Sequence, residues 1–351
     1  MQEQPLVTVI MPVRNEEAYI NRSLKSVLAQ DYPADRFEII VADGMSSDAT
    51  PAIVESFKNQ HGNIRFISNP GLIVPTGMNL AIENAIGEII VRVDGHCEIA
   101  SDYVRRCVDH LQNEQVDGVG GPLESVGETF SAKVIALAMS SNFGVGGSAF
   151  RTVRNKTMLA DTVAFPAYTR SAIQRAGRYD EELVRNQDDE YNYRLRKLGA
   201  RILLANDIHC RYYSRGSLSS LWSQYFQYGY WKVRVMQKHP RQMRLRQFVP
   251  ALFILALAVC LAASLIFQEA RWLLVVLVGS YIVANVLATI ITALRTSGRM
   301  LLLLPAAFCV LHFSYGVGFI VGLVRFCGRW REHKTEQNRW PSVEVQTGNQ
   351  A

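Results

Sequence analysis

Three long stretches without a charged side chain fill most of the last third of this chain. They are Val249–Phe267 (19 residues), Trp272–Leu294 (23 residues) and Met300–Val324 (25 residues, with His312 as the one ionisable group). A helix rises about 1.5 Å per residue, so about 20 apolar residues cross a hydrocarbon layer about 30 Å thick. Three such runs in succession read as a membrane anchor behind a soluble domain. Met1–Pro5 carries no basic stretch ahead of an apolar run, so no signal peptide is expected. From Gln237 onward there are 12 Lys and Arg against 4 Asp and Glu, whereas the rest of the chain holds 25 against 27. The basic character therefore belongs to the C-terminal third, which argues against a nucleic-acid partner. The six cysteines form no C-x-x-C pair, so neither a zinc ribbon nor a disulfide framework is indicated.

Ahead of the apolar third, strand and helix signals alternate. Leu6–Met11 (LVTVIM), Glu38–Ala42 (EIIVA), Ile64–Ile67 and Ile89–Val93 (IIVRV) are short apolar runs of the kind that form buried parallel strands. Behind Asn15, a residue suited to capping a helix, Ile20, Leu24, Val27 and Leu28 recur at helical spacing. Further helices are expected near Pro51–Lys58 and Thr76–Ala85. This alternation predicts an α/β fold with a parallel sheet, whose ligands sit beyond the carboxyl ends of the strands. The polar segments at those ends are Pro12–Glu17, Asp43–Thr50 and Asp94–His96. No G-x-G-x-x-G follows the first strand and no P-loop motif exists, which disfavours a dinucleotide or P-loop site. What remains is a set of carboxylates aimed at a polar ligand, with or without a metal.

Taken in order, P-V-R-N-E-E, A-D-G-M-S-S-D-A-T and V-D-G-H, followed by Q-D-D-E-Y-N-Y-R-L-R-K-L-G, resemble family-2 glycosyltransferases of the GT-A fold, over about Leu6 to Trp231. The apolar tail and Ser214–Trp231 look most like bacterial succinoglycan-type membrane glycosyltransferases. The resemblance implies a nucleotide-sugar-binding domain with a mixed, mostly parallel sheet flanked by helices, followed by transmembrane helices. It also implies sugar transfer from a nucleotide diphosphate sugar with inversion at the anomeric carbon, assisted by a divalent metal.

Residue by residue, the resemblance places the family's D-x-D metal motif on Asp94-Gly95-His96, with histidine replacing the second acid. Asp94 would hold ribose or metal and His96 would be a direct ligand, while Gly95 lies between them against the donor. A departing pyrophosphate needs such an electrophile, and an imidazole ligand favours Mn²⁺ over Mg²⁺. Asp43 falls where the family contacts the nucleoside, although the usual second acid is Gly44 here. Pro12 would fix the first loop, Arg14 would pair with phosphate and Glu16 would accept from the nucleotide. Asn79 falls where members place a polar residue near the donor. Asp48 suits a ligand or a helix cap equally. Aligning on Arg194 puts Asp188 over the family's general base and Gln187 over the acid before it, with Asp189 as the neighbouring alternative. A solvated acidic helix start explains the same residues without catalysis. Asp161, in a segment resembling the strand that leads to the acceptor, is a candidate acceptor contact, as are Gln224 and Trp231 in an aromatic run. Gln227 and Tyr228 stand where processive synthases carry Arg and Trp, so single-sugar transfer is expected. Gly144–Ser148 has the composition of a flexible loop, an ordinary one before one that covers a site.

The expected organisation is a cytoplasmic catalytic domain over 1–236, a basic interfacial segment over 237–248, a membrane domain of about three helices over 249–324, and a basic then disordered tail over 325–351. The expected donor is a UDP-sugar and the expected acceptor a lipid-linked saccharide, in the cytoplasmic (inner) membrane. The alternatives are transfer to polyprenyl phosphate, or a degenerate homologue acting as a scaffold. Lys238, Arg241, Arg244 and Arg246 suit the membrane surface or a lipid diphosphate. Three crossings would put Arg325, Arg329, Arg331, Lys334 and Arg339 outside, against the bias of basic residues for the cytoplasmic side. Either one run does not cross or that rule fails here.

Overall fold

The computed structural model describes residues 4–294, 301–330 and Trp340. Of the expected tail over 325–351, residues 325–330 and Trp340 are among them, and the rest lies outside the described residues. The strands are β1 (Val7–Val13), β2 (Phe37–Asp43), β3 (Ile64–Ser68), β4 (Ile89–Arg92), β5 (Cys97–Ile99), β6 (Gly118–Gly120), β7 (Leu123–Val126), β8 (Met158–Leu159), β9 (Ala167–Thr169), β10 (Ile202–Leu204) and β11 (Cys210–Tyr213). The helices of the N-terminal part are α1 (Ile20–Leu28), α2 (Thr50–Lys58), α3 (Val74–Asn84), α4 (Tyr103–Asn113), α5 (Phe130–Met139), α6 (Asn142–Val145), α7 (Ala149–Thr152), α8 (Arg170–Ala176) and α9 (Gln187–Lys197). The long α10 (Leu218–Lys238) leads to the apolar helices α11 (Val249–Ser264), α12 (Gln268–Ala293) and α13 (Leu304–Arg325).

The main sheet has the order β3-β2-β1-β4-β9-β6-β10-β8. Strands β1 to β4 pair in parallel, as does β6 with β10, while β9 and β8 run antiparallel to their neighbours. This is the mixed, mostly parallel sheet expected. A second small sheet, β5-β11-β7, sits beside it. The unbroken apolar runs of β1 and β2 follow from burial on both faces. Val7, Val9, Met11, Ile39 and Val41 join one core, and Ile10, Ile40 and Ala42 join the other. Buried Thr8 fits because its hydroxyl donates to Glu38 (2.5 Å) and accepts from the Gly87 amide (2.8 Å).

Two local expectations are corrected. Asn15 does not cap α1. It sits at φ 54°, and its side-chain oxygen accepts from the Ser47 amide at 2.9 Å, tying the loop after β1 to the loop after β2. Asp161–Phe165 is irregular chain between β8 and β9 rather than a strand.

The apolar third departs from three equal spans. Helix α11 has 16 residues, about 24 Å, short of a hydrocarbon core. Helices α12 (26 residues) and α13 (22 residues) are long and apolar enough to cross. Of these, α12 is mostly exposed, whereas α13 lies along α10 through a seam of glycines. A Cβ at Gly318 would stand 2.1 Å from the Phe226 carbonyl oxygen, and one at Gly229 would stand 2.0 Å from that of Tyr315. Small residues let the two backbones approach this closely. Leu304, Ala307, Phe308 and Leu311 of α13 enter the same core as β1 and β2.

Gly318→Val should therefore lower the stability of the detergent-solubilised protein by at least about 1–3 kcal/mol through overpacking. Gly279 on α12 has nothing within 4 Å of an added Cβ, so Gly279→Val should leave it unchanged. Thermal unfolding of both variants checks this; equal melting temperatures would contradict the seam.

Candidate functional site

A cavity of about 1320 Å³ opens at the carboxyl ends of β1 and β4 and runs on to the apolar helices. One wall carries Pro12, Arg14 and Glu16. The floor carries Asp94, His96, Asp188 and Asp189. The far side carries Gly144–Gly146, Asp161 and Gln224, then Phe253, Tyr281, His312 and Tyr315 from α11 to α13.

At the centre is Arg92, the last residue of β4 and almost wholly buried. Its Nε donates to Asp94 Oδ1 at 2.8 Å and its Nη2 to Asp94 Oδ2 at 3.2 Å, while Nη1 pairs with Asp188. Burial acts against the guanidinium charge, but Asp188 and Asp94 outweigh it and keep Arg92 cationic. The Asp188 carboxyl faces the cavity with 37% of its side chain exposed. Desolvation raises its pKa, Arg92 opposes, and the charges of Asp94 and Asp189 add to the rise.

His96 Nδ1 lies 2.7 Å from Glu16 Oε1. A carboxylate on one imidazole nitrogen fixes the ring and leaves the other, Nε2, for coordination. Gly95 makes the approach possible, since a Cβ there would meet Glu16 Cγ at 2.9 Å. Among the described residues no group of three or more His, Cys, Asp and Glu can hold a metal. A divalent ion completed by substrate phosphates and water needs only one or two protein groups, and Asp94 with His96 fits that demand.

The three acids at the start of α9 are not a solvated cap. Asn186 precedes them at φ 63°, and its side chain donates to the Tyr228 carbonyl at 2.9 Å. Asp189 pairs with Lys232 of α10, and its carbonyl accepts from Gln242 at 2.6 Å. Glu190 is buried, bonded to Arg194 (2.8 and 2.9 Å) and to His239 (3.0 Å). Burial alone would raise the Glu190 pKa, but His239 and Arg194 bring it down to about 2. Glu182 behaves likewise: desolvation is overcome by Arg234 and Lys238, and its pKa falls to about 2. Helix α10 thus grips the segment that carries Asp188 through a row of charges.

Several candidates lie elsewhere than the sequence suggested. Asp43 is buried off the cavity and accepts from the Ser46 amide (3.0 Å) and hydroxyl (2.5 Å), so it builds the loop after β2. Gly95 does not line the cavity. Asn79 is fully buried and clips the Tyr179 backbone through both side-chain atoms (2.7 and 2.9 Å). Trp231 packs on Tyr230 and Phe326, away from the cavity. Asp48 lines the cavity and also caps, accepting from the Thr50 and Glu17 amides at 3.0 and 3.1 Å. Asp161 does line it, paired with Arg244, and Gln224 reaches the hydroxyls of Tyr212 (3.3 Å) and Tyr228 (3.1 Å). Lys238 is turned to Asp180 and Glu182 rather than to a membrane surface. Sequence reasoning missed Arg92 and Lys232; an arginine inside the otherwise apolar IIVRV strand was the visible signal for the first.

Comparison with known proteins assigns the catalytic part. Residues 8–178 match the Glycosyl transferase family 2 model, so the chain carries a domain of that family. It is 29% identical to the succinoglycan biosynthesis protein ExoA of Rhizobium meliloti (strain 1021), over 91% of this chain and 95% of that protein. It is 26% identical to a dolichyl N-acetyl-alpha-D-glucosaminyl phosphate 3-beta-D-2,3-diacetamido-2,3-dideoxy-beta-D-glucuronosyltransferase of Methanococcus voltae, over 91% and 97%. The fold is similar to that of a mannosyltransferase from Pyrobaculum calidifontis solved with GDP-Man and Mn²⁺, with a TM-score of 0.58, 20% identity, and coverage of 88% of this chain and 86% of that one.

A carboxylate whose folded pKa is depressed adds stability above its unfolded pKa and loses it as the pH falls through the folded value. Glu182→Gln should therefore melt below wild type at pH 7, and the gap should close between about 4.5 and about 2. A gap that persists at pH 2 in thermal melts would contradict the ionic role of Glu182.

Proposed function

We propose that this family-2 glycosyltransferase moves one sugar from a nucleoside diphosphate sugar, with a UDP-sugar as the first candidate, to a lipid-linked saccharide in the synthesis of exopolysaccharide or another cell-surface glycan. The observation that carries the reading is the continuity of the cavity, with acids and His96 at one end and side chains of the apolar helices at the other. Such a space suits a polar donor and an acceptor with a hydrocarbon tail. The names of the two relatives, a succinoglycan biosynthesis protein and a dolichyl-linked glycosyltransferase, support the same acceptor class.

In this reading Asp188 is the general base. The acceptor oxygen bonds to the anomeric carbon from the face opposite the diphosphate, its proton passes to Asp188, and the bond from the anomeric carbon to the diphosphate oxygen breaks with inversion. Arg92 holds the Asp188 carboxylate beside Asp94. Asp189, paired with Lys232 as Asp188 is with Arg92, is the second candidate by its place in the motif. A divalent metal held by Asp94 and His96 would supply positive charge for the departing diphosphate, and the imidazole favours Mn²⁺ over Mg²⁺. Asp188→Asn should lower transfer into a total lipid extract by about 10²–10⁴-fold with each active nucleotide sugar, and Asp189→Asn by less. Transfer retained in Asp188→Asn would remove the assignment.

For the membrane, we place the catalytic domain on the cytoplasmic side of the inner membrane and infer an even number of crossings. Before α11, Arg246 bonds the carbonyls of Gly146 (2.8 Å) and Gly147 (2.6 Å). After α13, Gln237 donates to the Phe326 carbonyl (2.7 Å), Arg329 pairs with Glu182 (2.9 Å), and the Trp340 indole donates to the Ile173 carbonyl (3.1 Å). Contacts from both ends of the apolar segment to the same domain support this reading. A reporter fused to the C-terminus should read out on the cytoplasmic side; a periplasmic signal would overturn the topology.

A further inference from the structure

The cavity holds more arginine than its own acids neutralise. Arg92, Arg196 and Arg244 are committed to Asp94, Asp188 and Asp161, and Lys232 to Asp189. Arg151, Arg185, Arg215 and Arg246 also line it, and none of them has a carboxylate partner among the described residues; Arg185 stands just ahead of α9, beside Asp188, and the other three lie toward the apolar helices. Arg151 lies over the rings of Phe150 (5.2 Å) and Tyr212 (5.8 Å), and the one hydrogen bond of its guanidinium among the described residues is a long one of 3.5 Å to Ser125. Arg215 follows β11, two residues after its end, and its charge acts on the same Tyr212 ring as that of Arg151. Arg246 stands three residues ahead of α11 and reaches back to the carbonyls of Gly146 and Gly147. Those glycines turn at φ 62° and 70°, so the turn leading into α7, which carries Arg151, is pinned to the segment just ahead of α11.

The surplus charge stands where the cavity changes character. Beyond Arg246 the lining becomes Val249, Pro250, Phe253 and Leu311. Arg14, the remaining cation of the donor wall, is on the loop after β1. A group of arginines without carboxylate partners in a cleft suits an anion, and guanidinium forks match phosphate oxygens. Hydrocarbon-compatible walls directly beside them demand an apolar tail on the same molecule.

We propose that Arg151, Arg215 and Arg246 form a second anion site, separate from the donor diphosphate, that takes the phosphate or diphosphate of an isoprenoid-type lipid acceptor. This deepens the proposed function by naming the residues that recognise its acceptor. The phosphate is held at the border between the polar and apolar halves of the cavity, with the tail against α11 and α13. The acceptor hydroxyl is thereby fixed relative to Asp188 without any contact to the donor nucleotide.

The test uses the full chain in detergent and reads binding by thermal shift. The probes are farnesyl diphosphate, farnesol, inorganic pyrophosphate and the nucleoside diphosphate of whichever donor proves active. Farnesyl diphosphate should stabilise wild type saturably and well beyond farnesol or pyrophosphate. Arg151→Ala and Arg246→Ala should each weaken that binding by about tenfold or more, as expected for one lost charged hydrogen-bonding group. Lysine at either position should restore part of it, and nucleoside diphosphate binding should stay within about twofold throughout. Unchanged farnesyl diphosphate binding in the variants would overturn the site. A parallel loss of nucleotide binding would also overturn it, by moving the arginines to the donor diphosphate. An equal response to pyrophosphate would reduce it to a free-anion site. Because these readouts are of binding, they stand apart from transfer: a wild type that binds farnesyl diphosphate but transfers no sugar would defeat the proposed function and leave the anion site in place.

Discussion

One buried guanidinium organises the reactive end of this molecule. Arg92 sits on an interior strand, where an unpaired charge would be prohibitively costly, so it must be neutralised by acids that converge on it. The two that do so, Asp94 and Asp188, are 94 residues apart in sequence and belong to the loop after β4 and to the start of α9. The pairing locks together the loop that carries His96 and the helix that carries the proposed base. The candidate centre is thus a consequence of satisfying a buried charge, and its geometry is as firm as the strand that supplies it.

The grip of α10 is the second constraint. Lys232, Arg234, Lys238 and His239 meet Asp189, Glu182, Asp180 and Glu190 along one side, while the opposite side meets the glycine seam of α13. The helix therefore joins the charged machinery to the apolar helices with a hydrogen-bonded row on one face and close backbone contact on the other. Interactions of these two kinds fail under different conditions: the charged row weakens in acid, and the seam yields to added volume.

The first half of the fold was legible because its signals are local and repeated. Apolar runs of β1, β2 and β4 marked buried strands, and the acids at their ends marked the edge where the site lies. Ordered motifs then singled out Asp94, His96 and Asp188, which the fold does bring together. Asp43, Asn79 and Trp231 lie off the cavity: a polar residue at a strand end or in a helix has two uses, binding ligand or completing the fold, and which face of α10 each ring of an aromatic run takes depends on α13. The basic run from Lys238 to Arg246 read as one interfacial patch, yet its members separate, Lys238 to acids of the catalytic part, Arg244 to Asp161 and Arg246 to the glycine loop. Such assignments rest on contacts between residues 50 to 100 positions apart, which no local pattern encodes.

The sharing of one core between β1, β2 and α13 bears on how the protein comes into being. Chain emerging from a ribosome would complete the strands and the acid-bearing helix long before Leu304–Leu311 exists. Until then the core near Val134, Ile135, Leu221 and Tyr225 lacks part of its lining, and the surface left bare invites aggregation. The N-terminal part is therefore finished last, by a segment that the chain reaches only after two other apolar helices, so its core closes only once nearly the whole apolar third has been made.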